Sequence, residues 1–230
     1  MSEHSSLSRL REVETADGSS TLVDDELGVS YRSLGGANTE SKHVFLDGTR
    51  LREVGDPWTV VELGLGTGTN FATTYCAARR AGVALVYHAV EWRPLPPSRS
   101  AMVDADARRL LREVLSASGP VRRAEDTIAQ LVVHAAGWAE LEPLPVTADA
   151  IYHDPFAPSA NPSSWTEACF RWHRSHLAPG GRLATYSSAG AVRRALVDAG
   201  FHVRKRPGCG GKREVTVAAI DEAALEGEPW

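Results

Sequence analysis

Residues Trp58 to Phe71 read Trp-Thr-Val-Val-Glu-Leu-Gly-Leu-Gly-Thr-Gly-Thr-Asn-Phe, and few folds accommodate such a run. Val60, Val61 and Leu63 make a short, β-branched apolar stretch of the kind covered on both faces in a parallel sheet. Gly64, Gly66 and Gly68 then permit a sharp turn and a close approach of backbone to ligand, because no Cβ obstructs either. Asn70 offers a cap for a helix that carries Phe71, Tyr75 and Ala78 and stops at Gly82. Strand, glycine turn and helix in that order form one unit of an α/β fold. The free N–H groups of its helix face the crevice where open sheets bind ligands.

A second strand is expected over Val83 to Val90, ending in Glu91. A carboxylate there can accept hydrogen bonds from both hydroxyls of a ribose. A pyrophosphate-binding fingerprint would place its third glycine near Thr69. The spacing here is Gly-x-Gly-x-Gly, which suits a nucleoside ligand lacking a pyrophosphate, such as S-adenosylmethionine. The cofactor-side candidates are Glu62, Gly64, Gly66, Thr67, Gly68, Asn70 and Glu91, joined by Gly137 and Trp138 at the end of a third strand over Leu131 to Ala136. Trp138 either lies against an adenine or belongs to the core. Glu125-Asp126 would supply an acid at that level if the strand sat earlier.

The second informative stretch is Asp149 to Pro162, where a fourth strand ends at Asp154 and a stiff loop, Asp154-Pro-Phe-Ala-Pro158, follows. Asp154 is a candidate on both the cofactor and the acceptor side of the crevice, Phe156 offers a ring for stacking, and Pro155 and Pro158 hold the loop rigid. Ser164 and Glu167 read as a capping box for a helix through Cys169, Trp172 and Leu177. A fifth strand spans Arg182 to Tyr186, and a helix with Val192, Leu196 and Ala199 inward ends at Gly200. Phe201 to Arg206 and Glu214 to Ile220 read as a closing hairpin. Ahead of this sheet domain, 57–222, residues 1–20 are expected to be disordered. Residues 21–56 form an appendage or lid with strands near Leu22 and Tyr31 and a helix over Thr39 to Leu46, and 223–230 form a tail.

A chain of 230 residues suits one α/β domain with modest additions and leaves no room for a second cofactor domain. No apolar run approaches the roughly 18 residues of a membrane span, and no apolar signal core opens the sequence. A cytoplasmic protein without a membrane partner is expected. Cys76, Cys169 and Cys209 are widely spaced, and His88, His134 and His153 on central strands have no ligand spacing, so no metal site is expected. Charge is uneven. Between Arg171 and Arg213 ten basic residues face one acid, Asp198, giving that segment +9 and the remainder −13 in a chain of net charge −4. Such asymmetry suggests a footprint for a polyanion.

Four stretches together carry a resemblance: Glu62 to Phe71, the Asp154-Pro-Phe-Ala-Pro-Ser-Ala-Asn-Pro162 loop, Thr185 to Arg194, and Gly208-Cys-Gly-Gly-Lys-Arg-Glu214. From about Tyr31 to the last strand the chain resembles the MnmC methyltransferase family, which completes 5-methylaminomethyl-2-thiouridine in tRNA. The resemblance implies a class I methyltransferase fold, Rossmann-like, with a seven-stranded sheet whose last strand is antiparallel, plus the small N-terminal β/α appendage. It implies S-adenosylmethionine as methyl donor and tRNA as partner, the acceptor being the 5-aminomethyl group of the wobble uridine. The usual enzyme also carries a flavin-dependent oxidase half, so this chain looks like a stand-alone form. Asp154 and Phe156 then become catalytic candidates. Tyr31, Pro155, Ser187, Arg193, Arg194, Lys205, Lys212 and Arg213 become substrate-side ones. Three positions depart from the family pattern: Cys209 where an aromatic is usual, Trp138 where an Asp is common, and His153 in place of an apolar residue. Another amine substrate, a nicotinamide-dependent oxidoreductase and a non-catalytic RNA-binding module are the competing readings.

Overall fold

The computed structural model describes residues 10–97 and 104–228. Eleven strands, β1 to β11 in chain order, make two sheets among these residues. The small one is an antiparallel meander of β1 (Leu10–Glu14), β2 (Ser20–Asp24) and β3 (Val29–Ser30). Its first strand lies within the stretch expected to be disordered. Leu10 is buried against Leu22 and Leu95, and pairing with β2 satisfies a backbone that the polar composition had suggested would stay solvated.

The large sheet contains β4 (Trp58–Leu63), β5 (Leu85–Val90), β6 (Val121–Glu125), β7 (Ala129–His134), β8 (Ala148–His153), β9 (Leu177–Thr185), β10 (His202–Pro207) and β11 (Glu214–Ala219). Their order is β10-β11-β9-β8-β4-β5-β7-β6. Five central strands run parallel, and β11 enters antiparallel between β9 and β10. The seven strands read from the sequence are all present. An eighth, β6, is added antiparallel along the edge of β7 and places Glu125 in a strand, away from the crevice.

Helices cover both faces because both faces of the parallel strands are apolar. On one side α1 (Thr69–Ala81) and α2 (Ala105–Ser116) bury Phe71, Tyr75, Leu110, Leu111 and Val114 against Val60 and Tyr87. On the other, α3 (Glu167–Arg174) and α4 (Gly190–Asp198) bury Phe170, Val192 and Leu196 against Val61, Ile151 and Leu183. Asp104 caps α2 by accepting from the Asp106 and Ala107 amides; a start at Ser98, which the sequence offers after Pro94, Pro96 and Pro97 for a helix carrying Met102, Leu110, Leu111 and Val114, falls with Met102 outside the described residues. Thr166, not Ser164, caps α3, accepting from the Cys169 amide. Ser164 sits instead in the short turn of helix Pro162–Trp165 ahead of it.

The appendage's helical segment, Ala37–Glu40 continuing into the wider turn Ser41–Leu46, buries Val44, Phe45 and Leu46 in the first core. Ahead of it, Gly35 lies directly against Gly210 of the β10–β11 connection. The Gly210 carbonyl oxygen leaves no room for a Cβ on Gly35. His43 Nε2 also donates to the Pro207 carbonyl at 2.7 Å. The N-terminal unit is thus docked on the far end of the chain.

Candidate active site

The strand order reverses between β4 and β8, and their register pairs Leu63 with His153. Gly64 and Asp154 therefore leave the sheet side by side, with the Asp154 amide donating to the Leu63 carbonyl at 2.9 Å. Gly64 sits at φ 93°, and a Cβ there would be 2.5 Å from the Asp154 carbonyl oxygen. Only glycine satisfies both demands. Gly66 and Gly68 also have positive φ, and Gly68 is the cap residue of α1.

Asn70 does not cap that helix. It lies in the first turn, and its buried amide points down into the sheet, where it donates to Glu62 at 2.7 Å and to Asp154 Oδ2 at 2.8 Å. Its carbonyl accepts from Arg32 at 2.8 Å and from the Ser41 hydroxyl. Glu62 is fully buried and also accepts from the Tyr87 hydroxyl at 2.8 Å. Burial pushes its carboxyl up to about 7 against the pull of the Asn70 and Tyr87 hydrogen bonds.

Arg32, from the appendage, forms an ion pair with Asp154 and reaches Ser41 at 2.9 Å and Glu40 at 3.9 Å. Both side chains of the Arg32–Asp154 pair are almost fully removed from solvent. Glu40 in turn accepts from Lys212, whose ammonium lies 4.3 Å from the Tyr186 ring centroid. Burial raises the Glu40 carboxyl, but Arg32 and Lys212 outweigh it and hold it below its ordinary value. Neither Arg32 nor Glu40 was among the sequence candidates. Nothing local marks them, since the partners that tie them to the site, Asn70 and Asp154 for Arg32 and Lys212 for Glu40, come from segments 38 to 172 residues away.

Above this layer opens a cavity of about 1820 Å³ lined by Gly64, Gly66, Glu91, Trp138, Asp154 and Phe156, among others. Glu91 accepts from the Gly66 amide at 3.1 Å and the Arg93 amide at 3.0 Å. Phe156 meets Tyr31 edge to face at 5.0 Å. Its loop is held by the Trp165 indole donating to the Phe156 carbonyl and the Tyr186 hydroxyl donating to that of Pro155, each at 2.8 Å. Gly137, Pro155 and Lys212 also reach the cavity.

The remaining candidates lie elsewhere. Glu62 and Asn70 form the floor beneath Asp154. Thr67 is buried and bonded to Thr69. Ser187 braces its own loop, its carbonyl accepting from Thr216. Arg193 and Arg194 are on α4, while Lys205 is paired with Glu214 at 2.9 Å. Six of the ten basic residues of the +9 segment (Arg171, Arg182, Arg204, Lys205, Arg206 and Lys212) make ion pairs with carboxylates. The acids come from outside that segment, so the open basic surface suggested by sequence is mostly neutralised. Arg193, Arg194 and Arg213 make no ion pair among the described residues.

The departures from the family pattern fall in different places. Trp138 lines the cavity with part of its ring packed on the second core. Cys209 faces the appendage at the Thr39 carbonyl. His153 points to the face opposite Asp154's partners, bonded to His173 at 2.9 Å and packed on Trp165 and Phe170. His88 and His134 pair at 3.1 Å on another part of the sheet, so the three strand histidines do not converge. His153, His173 and Cys169 do bring ligand-type atoms within 4.8 Å of one another in a buried pocket.

A doubly wound sheet with an antiparallel strand inserted next to its edge, a glycine turn after the first strand and an acid after the second defines the class I methyltransferase architecture. Sequence comparison narrows this. The chain belongs to the S-adenosyl-L-methionine-dependent methyltransferase family whose model matches residues 96–221. It is 38% identical over 207 residues to the tRNA 5-methylaminomethyl-2-thiouridine biosynthesis bifunctional protein MnmC of Ralstonia nicotianae, covering 83% of this chain and 31% of that protein. The protein of the same name from Hahella chejuensis is 33% identical over 221 residues, covering 86% and 35%. The chain thus spans about a third of the length of these curated relatives. Among solved structures, MnmC2 from Aquifex aeolicus superposes with a TM-score of 0.79 at 26% identity, covering 94% of this chain and 74% of that one. S-adenosylmethionine is accordingly the cofactor, and the nicotinamide reading is not favoured. Among the described residues no helix is long and apolar enough to cross a membrane.

Proposed function

We propose that this chain is an N-methyltransferase that converts the 5-aminomethyl group of the tRNA wobble uridine, or 2-thiouridine, to 5-methylaminomethyl in the cytoplasm. The observation that carries this reading is the contact of the Gly64 turn with the Asp154-Pro-Phe loop at the switch point, both opening into one cavity. The names of the relatives supply the substrate class.

The residues fit the cofactor. Gly64 and Gly66 bring backbone to the cavity wall, and Glu91 projects beside them with acceptor capacity left for a ribose. Gly137 and Trp138 bound the adenine end. S-adenosylmethionine supplies a methyl group already activated on a sulfonium, so the protein's work is alignment, which can contribute about 7–11 kcal/mol. On the acceptor side Phe156 and Tyr31 offer a stacking surface for the uracil. Asp154 accepts a hydrogen bond from the amine and turns its lone pair toward the donor. Because Asp154 already holds a guanidinium and an amide N–H, it acts by orientation rather than by taking the proton, which passes to water. Arg193, Arg194 and Arg213 are the phosphate contacts proposed for the tRNA.

The test is incubation with labelled S-adenosylmethionine and tRNA lacking the terminal methyl, followed by nucleoside analysis. Label in 5-methylaminomethyl uridine is expected; label only on another amine overturns the substrate assignment.

A further inference from the structure

An alkylamine is a nucleophile only when unprotonated, yet lysine's reference value of about 10.4 shows that such amines are mostly ammonium ions at neutral pH. A lone carboxylate at the acceptor position would worsen this. An opposite charge within about 4–6 Å stabilises the ammonium and raises its pKa by about 1–3 units. Asp154 is not alone. Arg32 supplies a full countercharge, fixed in place by Ser41, Asn70 and Glu40. The next anion, Glu40, is matched by Lys212. On β4, Glu62 is buried beneath Asn70 and bonded to Tyr87. Glu91 lies on the cofactor side, bonded to two backbone amides. Tyr186, its hydroxyl donated to the Pro155 carbonyl, and Tyr31 complete the surroundings. The acceptor side of the cavity is therefore built from two closed ion pairs, with Arg32 the charge that closes the nearer one.

We propose that Arg32 is a positioning residue that keeps the acceptor amine neutral: by pairing with Asp154 it leaves a hydrogen-bond acceptor for the amine without the bare anion that would hold it as ammonium. Arg32 acts through Asp154 and does not itself touch the reacting atoms. The amine loses its proton to water before attack, its lone pair forms the N–C bond, and the C–S bond pair departs on sulfur. This inference rests on the amine-methylating reading above.

The experiment compares wild type, Arg32→Gln and Arg32→Lys in single-turnover methyl transfer at saturating tRNA and S-adenosylmethionine across pH, since rates at saturation report ionisations in the bound complex. In Arg32→Gln the acid limb should move to higher pH by about 1–3 units, a loss of roughly 10- to 1000-fold at pH values well below the limb. The KM for tRNA should not rise, because the ammonium form is now favoured. Arg32→Lys, which keeps the charge, should retain the wild-type limb. A limb in Arg32→Gln that coincides with wild type overturns the inference while leaving the methylation reading intact. No transfer by wild type at any pH overturns the reading itself, and the inference with it. Should Arg32→Gln fail to fold, a titration of 13C-labelled aminomethyl uridine in tRNA bound to wild type decides. An amine that titrates at or below its free value upholds the inference, and one raised above it overturns it.

Discussion

Replacing Gly64 by alanine tests whether the donor turn and the acceptor loop act as one rigid unit. Two costs can be worked from the geometry. Gly64 has φ 93°, and holding an L-residue in left-handed space costs roughly 1–2 kcal/mol. The new Cβ would lie 2.5 Å from the Asp154 carbonyl oxygen and 2.8 Å from its carbon, so the two backbones must part by about 0.9 Å to reach the 3.4 Å of ordinary contact. Overpacking of this kind adds about 1–3 kcal/mol, for a total of about 2–5 kcal/mol. In a chain of this size that lowers Tm by about 4–20 °C. The same displacement moves Asp154 relative to the methyl donor, and a misplacement near 1 Å costs on the order of 100-fold in rate. Thermal melts and single-turnover methyl transfer on the folded protein measure the two effects separately. Gly55→Ala, which has open space and no positive φ, is the control and should resemble wild type. A Gly64→Ala protein with both the Tm and the transfer rate of wild type would refute the reasoning.

Asp154→Asn should keep cofactor affinity by calorimetry but slow transfer at least about 100-fold by loss of alignment, and it should lower stability by roughly 3–5 kcal/mol because Arg32 is left buried without its partner. Stability should also fall on acidification. Burial lowers the imidazole of His173 from 6.5 to about 3, with a further push from His176, so below pH 6.5 the unfolded chain takes up a proton that the folded one refuses. The stability present above 6.5 is therefore lost progressively as pH falls toward 3, about 2 kcal/mol from this group by pH 5. His88 and His153 pull the same way, whereas Glu62, raised to about 7, opposes them between 4.5 and 7. Urea unfolding at pH 7.5 and 5 should show the loss, and a His173→Phe protein with an unchanged slope would contradict the assignment. For tRNA, reversing Arg193, Arg194 and Arg213 together should reduce the log–log salt slope by about 2–3, whereas Lys205→Ala, whose charge Glu214 already neutralises, should leave it unaltered. Equal effects of the two variants in filter binding would remove α4 and the hairpin turn from the interface.

What was legible in the sequence were features whose cause is local. The glycine turn, the strand ends at Glu91 and Asp154 and the β10–β11 hairpin follow from side-chain period and backbone freedom, and each stands where those forces place it. Local signals misled where tertiary contact outweighed them. Residues 10–14 are polar but find a partner in β2, and Asn70 has the chemistry of a helix cap but is drawn inward by Glu62 and Asp154. The basic run Arg204 to Arg206 is uniform in sequence, yet Glu222, Glu214 and Glu228 close over it from the chain that follows. Sequence alone therefore determined a glycine turn and a strand-end carboxylate at one crevice of an α/β sheet, because strand, turn and helix are set by neighbours along the chain. Only the tertiary structure decided the charge of that crevice. Arg32 meets Asp154 across more than a hundred residues, through a docked appendage whose partners no local pattern announces.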